Sequence, residues 1–156
     1  MPPRRYTLDT NIYRYLSTIR GFETQVEGFR PNQVSAVVLC ELWRSARTQT
    51  SQVRIKTLEQ RMERYIFTLS AKDWRGVGHY LSERLSHGKT PSERALVDIQ
   101  KAQNDALIAL SAWNRGLVVV TCDKDFEPIQ TWAKAAPWQL VTLPSPAPTG
   151  SSQARK

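Results

Sequence analysis

The sequence predicts an α/β domain of three layers, in which helices cover both faces of a mostly parallel sheet of four or five strands. Apolar runs typical of strands alternate with amphipathic helical patterns along the chain. Residues 117–121 form a continuous apolar run, as in a strand buried on both faces. Two acids, Asp9 and Asp123, directly follow predicted strands, at the sheet edge where such folds bind ligands.

The first part of the chain predicts a strand at 4–8 and then a helix that Thr10 or Asn11 caps. Ser35 is the predicted cap of a later helix that contains Glu41 near its second turn. A strand over 33–40 is the alternative there, because the run is rich in β-branched residues. The remaining predicted elements are a helix fragment and loop at 21–32, a helix at 51–64, a strand at 65–69, a helix from a Ser70–Asp73 capping box to Gly88, a helix from Thr90-Pro91-Ser92-Glu93 to Gly116 with a break near Asn104, the strand at 117–121, a helix at 129–135 and a strand at 139–143.

Length and composition bound the kind of protein. With 156 residues, 40% of them hydrophobic, the chain suits one domain, predicted at 1–143. The Pro- and Ser-rich tail, 144–156, is predicted to be disordered. No apolar run reaches the ~18 residues of a membrane span, no signal-peptide core is visible, and the two cysteines give no disulfide framework. These features favour the cytoplasm and no membrane partner.

The charge of +8 favours a polyanionic partner, and half of the surplus lies in segment 44–64. A solvated helical face explains the same charge, and an acidic protein partner is a third interpretation.

Four acids are the candidate functional residues: Asp9, Glu41, Asp105 and Asp123, with Asp125 as a substitute for the last. Asp105 and Glu41 lie on otherwise apolar helical faces, where an isolated carboxylate is costly to bury. Taken singly, Asp9 is explained as a helix cap, Asp105 as a first-turn acid and Asp123 as a turn residue. Glu41 is harder to explain in this way, and the joint occurrence of the four favours one site at a single sheet edge.

Clustered carboxylates repel one another, so a cation is expected between them. Oxygen ligands select hard ions, which here means Mg²⁺ or Mn²⁺. His79 and His87 are eight residues apart and do not have zinc-site spacing. No serine–histidine or reactive-cysteine arrangement competes, so the residues favour hydrolysis by metal-activated water.

Four segments of the sequence resemble the motifs of PIN domains, in particular the VapC-type ribonuclease toxins of toxin–antitoxin pairs. The resemblance covers about residues 5–143. The segments are Tyr6-Thr7-Leu8-Asp9-Thr10-Asn11, Ser35-Ala36-Val37-Val38-Leu39-Cys40-Glu41-Leu42, Asn104-Asp105-Ala106-Leu107-Ile108-Ala109 and Val119-Val120-Thr121-Cys122-Asp123-Lys124-Asp125-Phe126.

The resemblance implies a Mg²⁺- or Mn²⁺-dependent endoribonuclease that forms a homodimer and is inhibited by a small antitoxin protein. It implies that Asp9 and Asp105 bind the metal directly and that Glu41 positions a water, as a general base. Asp123 would bind a second ion or the shell around the first, with Asp125 as the alternative for that role. Asn11 and Thr121 would supply supporting hydrogen bonds.

Other functions stay open from the sequence alone. A PIN-fold module that binds RNA or protein without cutting is the main alternative. Aspartyl-phosphate chemistry needs a second carboxylate or a partnering lysine, and here the nearby position is Asn11, with Lys124 the only candidate lysine. DNA remains a possible substrate, because no residue pattern reads a 2′-hydroxyl.

Overall fold

The computed structural model describes residues 4–85 and 93–146. Its strands and helices alternate along the chain, as predicted. The strands are β1 Tyr6–Leu8, β2 Val34–Ser35, β3 Ile66–Phe67, β4 Val118–Thr121 and β5 Leu140–Thr142. The helices are α1 Thr10–Thr18, α2 Glu23–Val26, α3 Ala36–Ser45, α4 Gln49–Met62, α5 Ala71–Leu85, α6 Glu93–Trp113 and α7 Phe126–Ala133, with 3₁₀ turns at Glu63–Tyr65 and Pro137–Gln139.

All strand pairings in the described part of the chain are parallel, which confirms the predicted fold class. The five strands divide into a three-stranded sheet of order β1-β4-β5 and a two-stranded sheet of β2 and β3. A bridge between Tyr6 and Pro31 connects the region before β2 to β1. The second sheet is small because β2 and β3 have only two residues each.

Strand β4 lies at the centre of the three-stranded sheet and is buried on both faces. Val119 packs into an apolar cluster with residues of α3, α5, α6 and α7. Its neighbour Val120 points to the opposite face and packs with Ile12 of α1 and Phe22. Because successive strand residues face opposite sides, helices must cover both faces, which gives the layered architecture.

Helix caps explain where several helices begin. The Ser35 side chain accepts a hydrogen bond from the Val37 backbone N–H, so the predicted cap of α3 is confirmed and the strand alternative is limited to Val34–Ser35. Ser70 and Asp73 form the predicted capping box of α5. The cap of α1 is Asp9, which accepts from the Thr10 N–H at 2.7 Å. The prediction of Thr10 or Asn11 as the cap is therefore wrong, and the interpretation of Asp9 as a helix cap is confirmed.

Helix α6 runs without interruption from Glu93 to Trp113, so the predicted break near Asn104 is wrong. The helix contains no proline or glycine, and the Asn104 side chain bonds to another helix instead of competing for its own backbone. The predicted start signal at Thr90-Pro91-Ser92 and the stop at Gly88 lie outside the described residues. After α6, Gly116 adopts a φ of +67°, which favours glycine and turns the chain into β4.

Both cysteines are free: Cys40 is exposed and Cys122 is buried. None of the helices in the described ranges is long and apolar enough to cross a membrane. The predicted boundary at residue 143 remains a prediction. Ser145 donates to the Cys122 carbonyl at 3.0 Å, and residues 147–156 of the predicted disordered tail lie outside the described residues.

Candidate metal centre

The carboxyl ends of β1 and β4 meet at one edge of the sheet, and two of the candidate acids follow them. The two strands pair in parallel with Leu8 opposite Val120, and the Asp9 N–H donates to the Val120 carbonyl at 2.9 Å. Asp123 comes two residues after the end of β4. The structure therefore places Asp9 and Asp123 at one edge of the sheet, as the sequence predicted.

Helices α3 and α6 bring the other two acids to the same edge. The two helices pack against each other, with Glu41 on α3 and Asp105 on α6. The negative charges of Asp9, Asp123 and Glu41 all raise the pKa of Asp105. The structure thus brings together the four acids that the sequence singled out.

Asp9 is 2% exposed and has a hydrogen-bond donor for each oxygen. The Thr10 backbone N–H donates to Oδ1 at 2.7 Å, and the Thr121 hydroxyl donates to Oδ2 at 2.9 Å. Burial nevertheless raises its pKa to about 6, helped by the charges of Glu41 and Asp123. Hydrogen bonds from two neutral donors therefore do not offset the cost of burying the Asp9 carboxylate in its charged form.

Asp105 is 8% exposed and accepts no hydrogen bond from any residue in the described ranges. Burial raises the pKa of Asp105 to about 8, and the charge of Asp9 adds to this effect. Lys101 opposes the shift without reversing it. The ionised form of Asp105 is therefore costly unless a cation binds to it.

Glu41 is held in place from two directions. The Asn104 amide donates to Oε1 at 2.7 Å, and the Thr10 hydroxyl donates to Oε2. Both donors are neutral, so they fix the orientation of the carboxylate without removing its charge.

Asp123 and Asp125 share a lysine. Lys101 Nζ lies 2.9 Å from Asp123 Oδ2 and 2.6 Å from Asp125 Oδ2. The Asp123 side chain is 19% exposed and that of Asp125 is 56% exposed. Asp123 also acts electrostatically on Asp9, so it lies closer to the buried acids than Asp125 does.

Of the two predicted supporting residues, Thr121 makes the expected kind of contact. Its hydroxyl donates to Asp9 and accepts from the Asp123 N–H at 2.9 Å, so it joins the two strand ends. Asn11 is half-buried, and its side chain makes no hydrogen bond to the described part of the chain. His79, predicted not to be a ligand, is exposed on α5, and His87 lies outside the described ranges.

Three contributing residues were missed from the sequence: Thr10, Asn104 and Lys101. One signal for the α6 residues was available. Lys101 and Asp105 are four residues apart and Lys101 and Asn104 three apart, so an unbroken helix places them on one face. The predicted break near Asn104 obscured that signal.

The donor set fits a hard divalent cation. One carboxylate oxygen from each of Asp105, Asp123 and Asp125 lies within 4.8 Å of the others. All are oxygen ligands, as Mg²⁺ and Mn²⁺ prefer, and the buried Asp105 carboxylate has no other partner in the described residues.

A basic groove of about 530 Å³ opens beside the acids. Arg14, Arg44, Arg47 and Lys101 line it, and Glu41 and Asn104 form its border with the acidic cluster. No salt bridge joins any of the three arginines to an acid in the described residues. Their charges are therefore available to an anionic ligand in the groove.

The fold has solved counterparts in toxin–antitoxin complexes. A chain of such a complex from Klebsiella pneumoniae is 20% identical, with a TM-score of 0.55 over 88% of this chain and 96% of that one. A chain of VapBC2 from Rickettsia felis, bound to promoter DNA, is 23% identical, with a TM-score of 0.56 over 89% and 97%. A chain of FitAB bound to a DNA fragment is 16% identical, with a TM-score of 0.57 over 80% and 90%.

Comparisons by sequence gave no match, either among protein-family models or among curated proteins. The structural likeness extends over 90% or more of each counterpart and over 80% or more of this chain. The chain therefore shares its fold with these chains of toxin–antitoxin complexes.

Proposed function

We propose that this protein is a Mg²⁺- or Mn²⁺-dependent endoribonuclease and the toxin component of a type II toxin–antitoxin pair. One observation carries the proposal: carboxylates from four separate elements converge at one sheet edge, and one of them, the buried Asp105, accepts no hydrogen bond from any of the described residues. Such an arrangement is costly for the protein alone and favourable around a divalent cation.

Asp9, Asp105 and Asp123 are the residues that would hold the ion. A divalent ion in this position supplies a water of lowered pKa and neutralises charge that develops on a phosphodiester. The backbone N–H of Thr10 and the hydroxyl of Thr121 keep the Asp9 carboxylate in one orientation. This support fixes the ligand before the ion arrives, which reduces the cost of assembling the site.

Glu41 is the proposed proton acceptor. Asn104 and Thr10 direct its carboxylate, and it borders the groove through which a substrate reaches the acids. A carboxylate fixed in this way can accept a proton from the attacking water at a defined position, which is the geometric requirement for a general base.

The basic groove is the proposed path of the nucleic-acid backbone. Arg14, Arg44 and Arg47 line it and form no ion pair in the described residues, so they can neutralise phosphates next to the cleavage site. Two arginines of the groove belong to the basic segment noted in the sequence. RNA rather than DNA is proposed on the family resemblance.

The toxin role rests on the counterparts, which are chains of toxin–antitoxin complexes, some of them bound to DNA. A small antitoxin is the proposed protein partner, and a homodimer in the cytoplasm is the proposed state of the free toxin. Expression of the wild type without its antitoxin is expected to arrest growth, and expression of Asp9→Asn is expected to be harmless.

The decisive experiment is digestion of RNA by the purified protein with Mn²⁺, with Mg²⁺ and with EDTA. Asp9→Asn is expected to lower the cleavage rate by about a thousandfold or more, because a ligand to the ion is lost. Asp98→Asn is the matched control, since Asp98 is an exposed acid on the same helix as Asp105. It is expected to cleave at the wild-type rate.

Equal cleavage by wild type and Asp9→Asn, or cleavage that persists in EDTA, contradicts the proposal. RNA binding without cleavage in Mn²⁺ would instead support the alternative function, a PIN-fold binding module.

A further inference from the structure

Lys101 forms ion pairs with two of the acids at this edge. Its ammonium nitrogen is 2.6 Å from Asp125 Oδ2 and 2.9 Å from Asp123 Oδ2. These two carboxylates and Asp105 are the groups whose oxygens lie within 4.8 Å of one another. The two acids in the loop after β4, Asp123 and Asp125, are therefore already paired with a lysine of the same chain.

The position of Lys101 follows from two fixed elements. Lys101 is one helical turn before Asp105 on the uninterrupted α6, so its side chain extends along the face that carries the acids. On the other side, the Asp123 N–H binds the Thr121 hydroxyl and Asp123 Oδ1 accepts from the Asp125 N–H, both at 2.9 Å. The loop thus presents both carboxylates to the lysine in a defined geometry.

We propose that Lys101 acts as a resident cation in place of a second divalent ion beside Asp123 and Asp125, so that the centre binds a single Mg²⁺ or Mn²⁺, held by Asp9, Asp105 and Asp123. This inference rests on the proposed metal-dependent function. Lys101 is a positioning residue here: it orients Asp123 and neutralises the outer pair of acids.

Electrostatics explains why lysine and a second ion exclude each other. Two cations a few ångströms apart repel strongly in a site that is partly shielded from water. A second ion at Asp123 and Asp125 would therefore have to displace the ammonium group and break both ion pairs. By contrast, Asp9 and the unpartnered Asp105 form no ion pair in the described residues, so an ion binds there without such a loss.

The inference also assigns different roles to two neighbouring lysines. Lys124 lies between Asp123 and Asp125 in the sequence, is exposed, and makes no ion pair within the described residues. It carries the same charge next to the same acids but forms no ion pair with them. Lys124→Met is therefore a matched control for Lys101→Met.

The test is the number of Mn²⁺ ions bound per protein chain, measured by titration calorimetry and by electron paramagnetic resonance of the free ion. The wild type and Lys124→Met are expected to bind one ion, and Lys101→Met is expected to bind two. Lys101→Gln, a second neutral variant with a polar side chain, is expected to bind two as well. Adding Asp125→Asn to Lys101→Met is expected to return the number to one.

A wild type that binds two ions overturns the inference and leaves the metal-dependent nuclease intact. A single ion in both Lys101→Met and Lys101→Gln, with folding confirmed by circular dichroism, overturns it equally. A wild type that binds no Mn²⁺ overturns the proposed metal centre itself and the inference with it.

Discussion

Asp73 and Asp105 are both buried acids on helices, but the protein treats them differently. Asp73 is 0% exposed, and four donors reach its carboxylate. They are the Ser70 N–H and hydroxyl, each at 2.8 Å, the Asn114 amide at 2.7 Å and the Arg115 guanidinium at 3.2 Å. Burial acts to raise the pKa of Asp73, but these hydrogen bonds outweigh it and hold the pKa below its ordinary value.

Asp105 is also buried, but no hydrogen bond from the described part of the chain offsets the cost of its charge. No donor in the described residues bonds to it, and burial together with the charge of Asp9 raises its pKa to about 8. The difference separates two uses of a buried acid. Asp73 is completed by the chain and therefore fixes structure, joining the start of α5 to the residues after α6. Asp105 has no such partner in the described residues, which is the behaviour expected of the metal ligand proposed above.

The same substitution at both positions gives the largest expected contrast. Asp73→Asn is expected to lower the free energy of unfolding by about 3 kcal/mol, because it unpairs Arg115 and places an amide against other donors. Asp105→Asn is expected to raise the free energy of unfolding of the metal-free protein by several kcal/mol at neutral pH, since it removes a buried acid whose charge is not compensated. Urea denaturation in EDTA measures both effects.

RNA cleavage by the same variants provides the control. Asp73→Asn is expected to retain the wild-type activity per folded molecule, whereas Asp105→Asn is expected to lose it. A loss of stability in both variants would show that Asp105 is a structural acid like Asp73.

The pH dependence of stability separates the two acids by sign. On folding, the pKa of Asp105 rises from 3.8 to about 8 and the pKa of Asp9 rises from 3.8 to about 6. Between pH 3.8 and about 8 the folded protein therefore binds more protons than the unfolded chain. The metal-free protein is therefore expected to lose several kcal/mol of stability as the pH rises from about 4 to 8. Asp73 acts oppositely: its contribution is present above the ordinary pKa and is lost only as the pH falls below it.

Denaturation in EDTA at a series of pH values measures this dependence. Asp105→Asn is expected to flatten most of the slope, and saturating Mn²⁺ is expected to reverse it, because the ion binds the ionised carboxylates. A wild-type stability that rises with pH in EDTA would contradict the raised pKa values.

The sequence best predicted those features whose geometry follows directly from the fold class. Parallel strands end at a common edge, so Asp9 and Asp123 could be placed together from the two apolar runs that precede them. Glu41 and Asp105 were recognisable because an acid on an apolar helical face needs a partner. These arguments use local patterns, and the local patterns of α3 and β4 agree with the tertiary structure.

The partners of the acids were not predictable in the same way. Thr10 was interpreted as a helix cap, but Asp9 takes that role and frees the Thr10 hydroxyl for Glu41. A helix break was predicted near Asn104, but α6 is continuous there and the Asn104 amide bonds to Glu41 on the neighbouring helix α3. Both errors concern polar side chains whose partner is distant in sequence, and only the packing of α1, α3 and α6 decides which partner each one meets.

Substitutions at two asparagines also test the contrast between structural and functional acids, with a smaller expected effect than the substitutions of the acids themselves. The Asn104 amide donates to Glu41 and the Asn114 amide donates to Asp73, both at 2.7 Å. Asn104→Leu keeps the approximate shape and removes the donor, so Glu41 loses one of its two guides. The rate of RNA cleavage at saturating Mn²⁺ is expected to fall about tenfold to a hundredfold, with little change in stability. Asn114→Leu, the matched variant, is expected to lower the stability and leave the cleavage rate per folded molecule unchanged. Full activity in Asn104→Leu would show that Glu41 needs no positioning, and an equal loss in Asn114→Leu would remove the distinction between the two carboxylates.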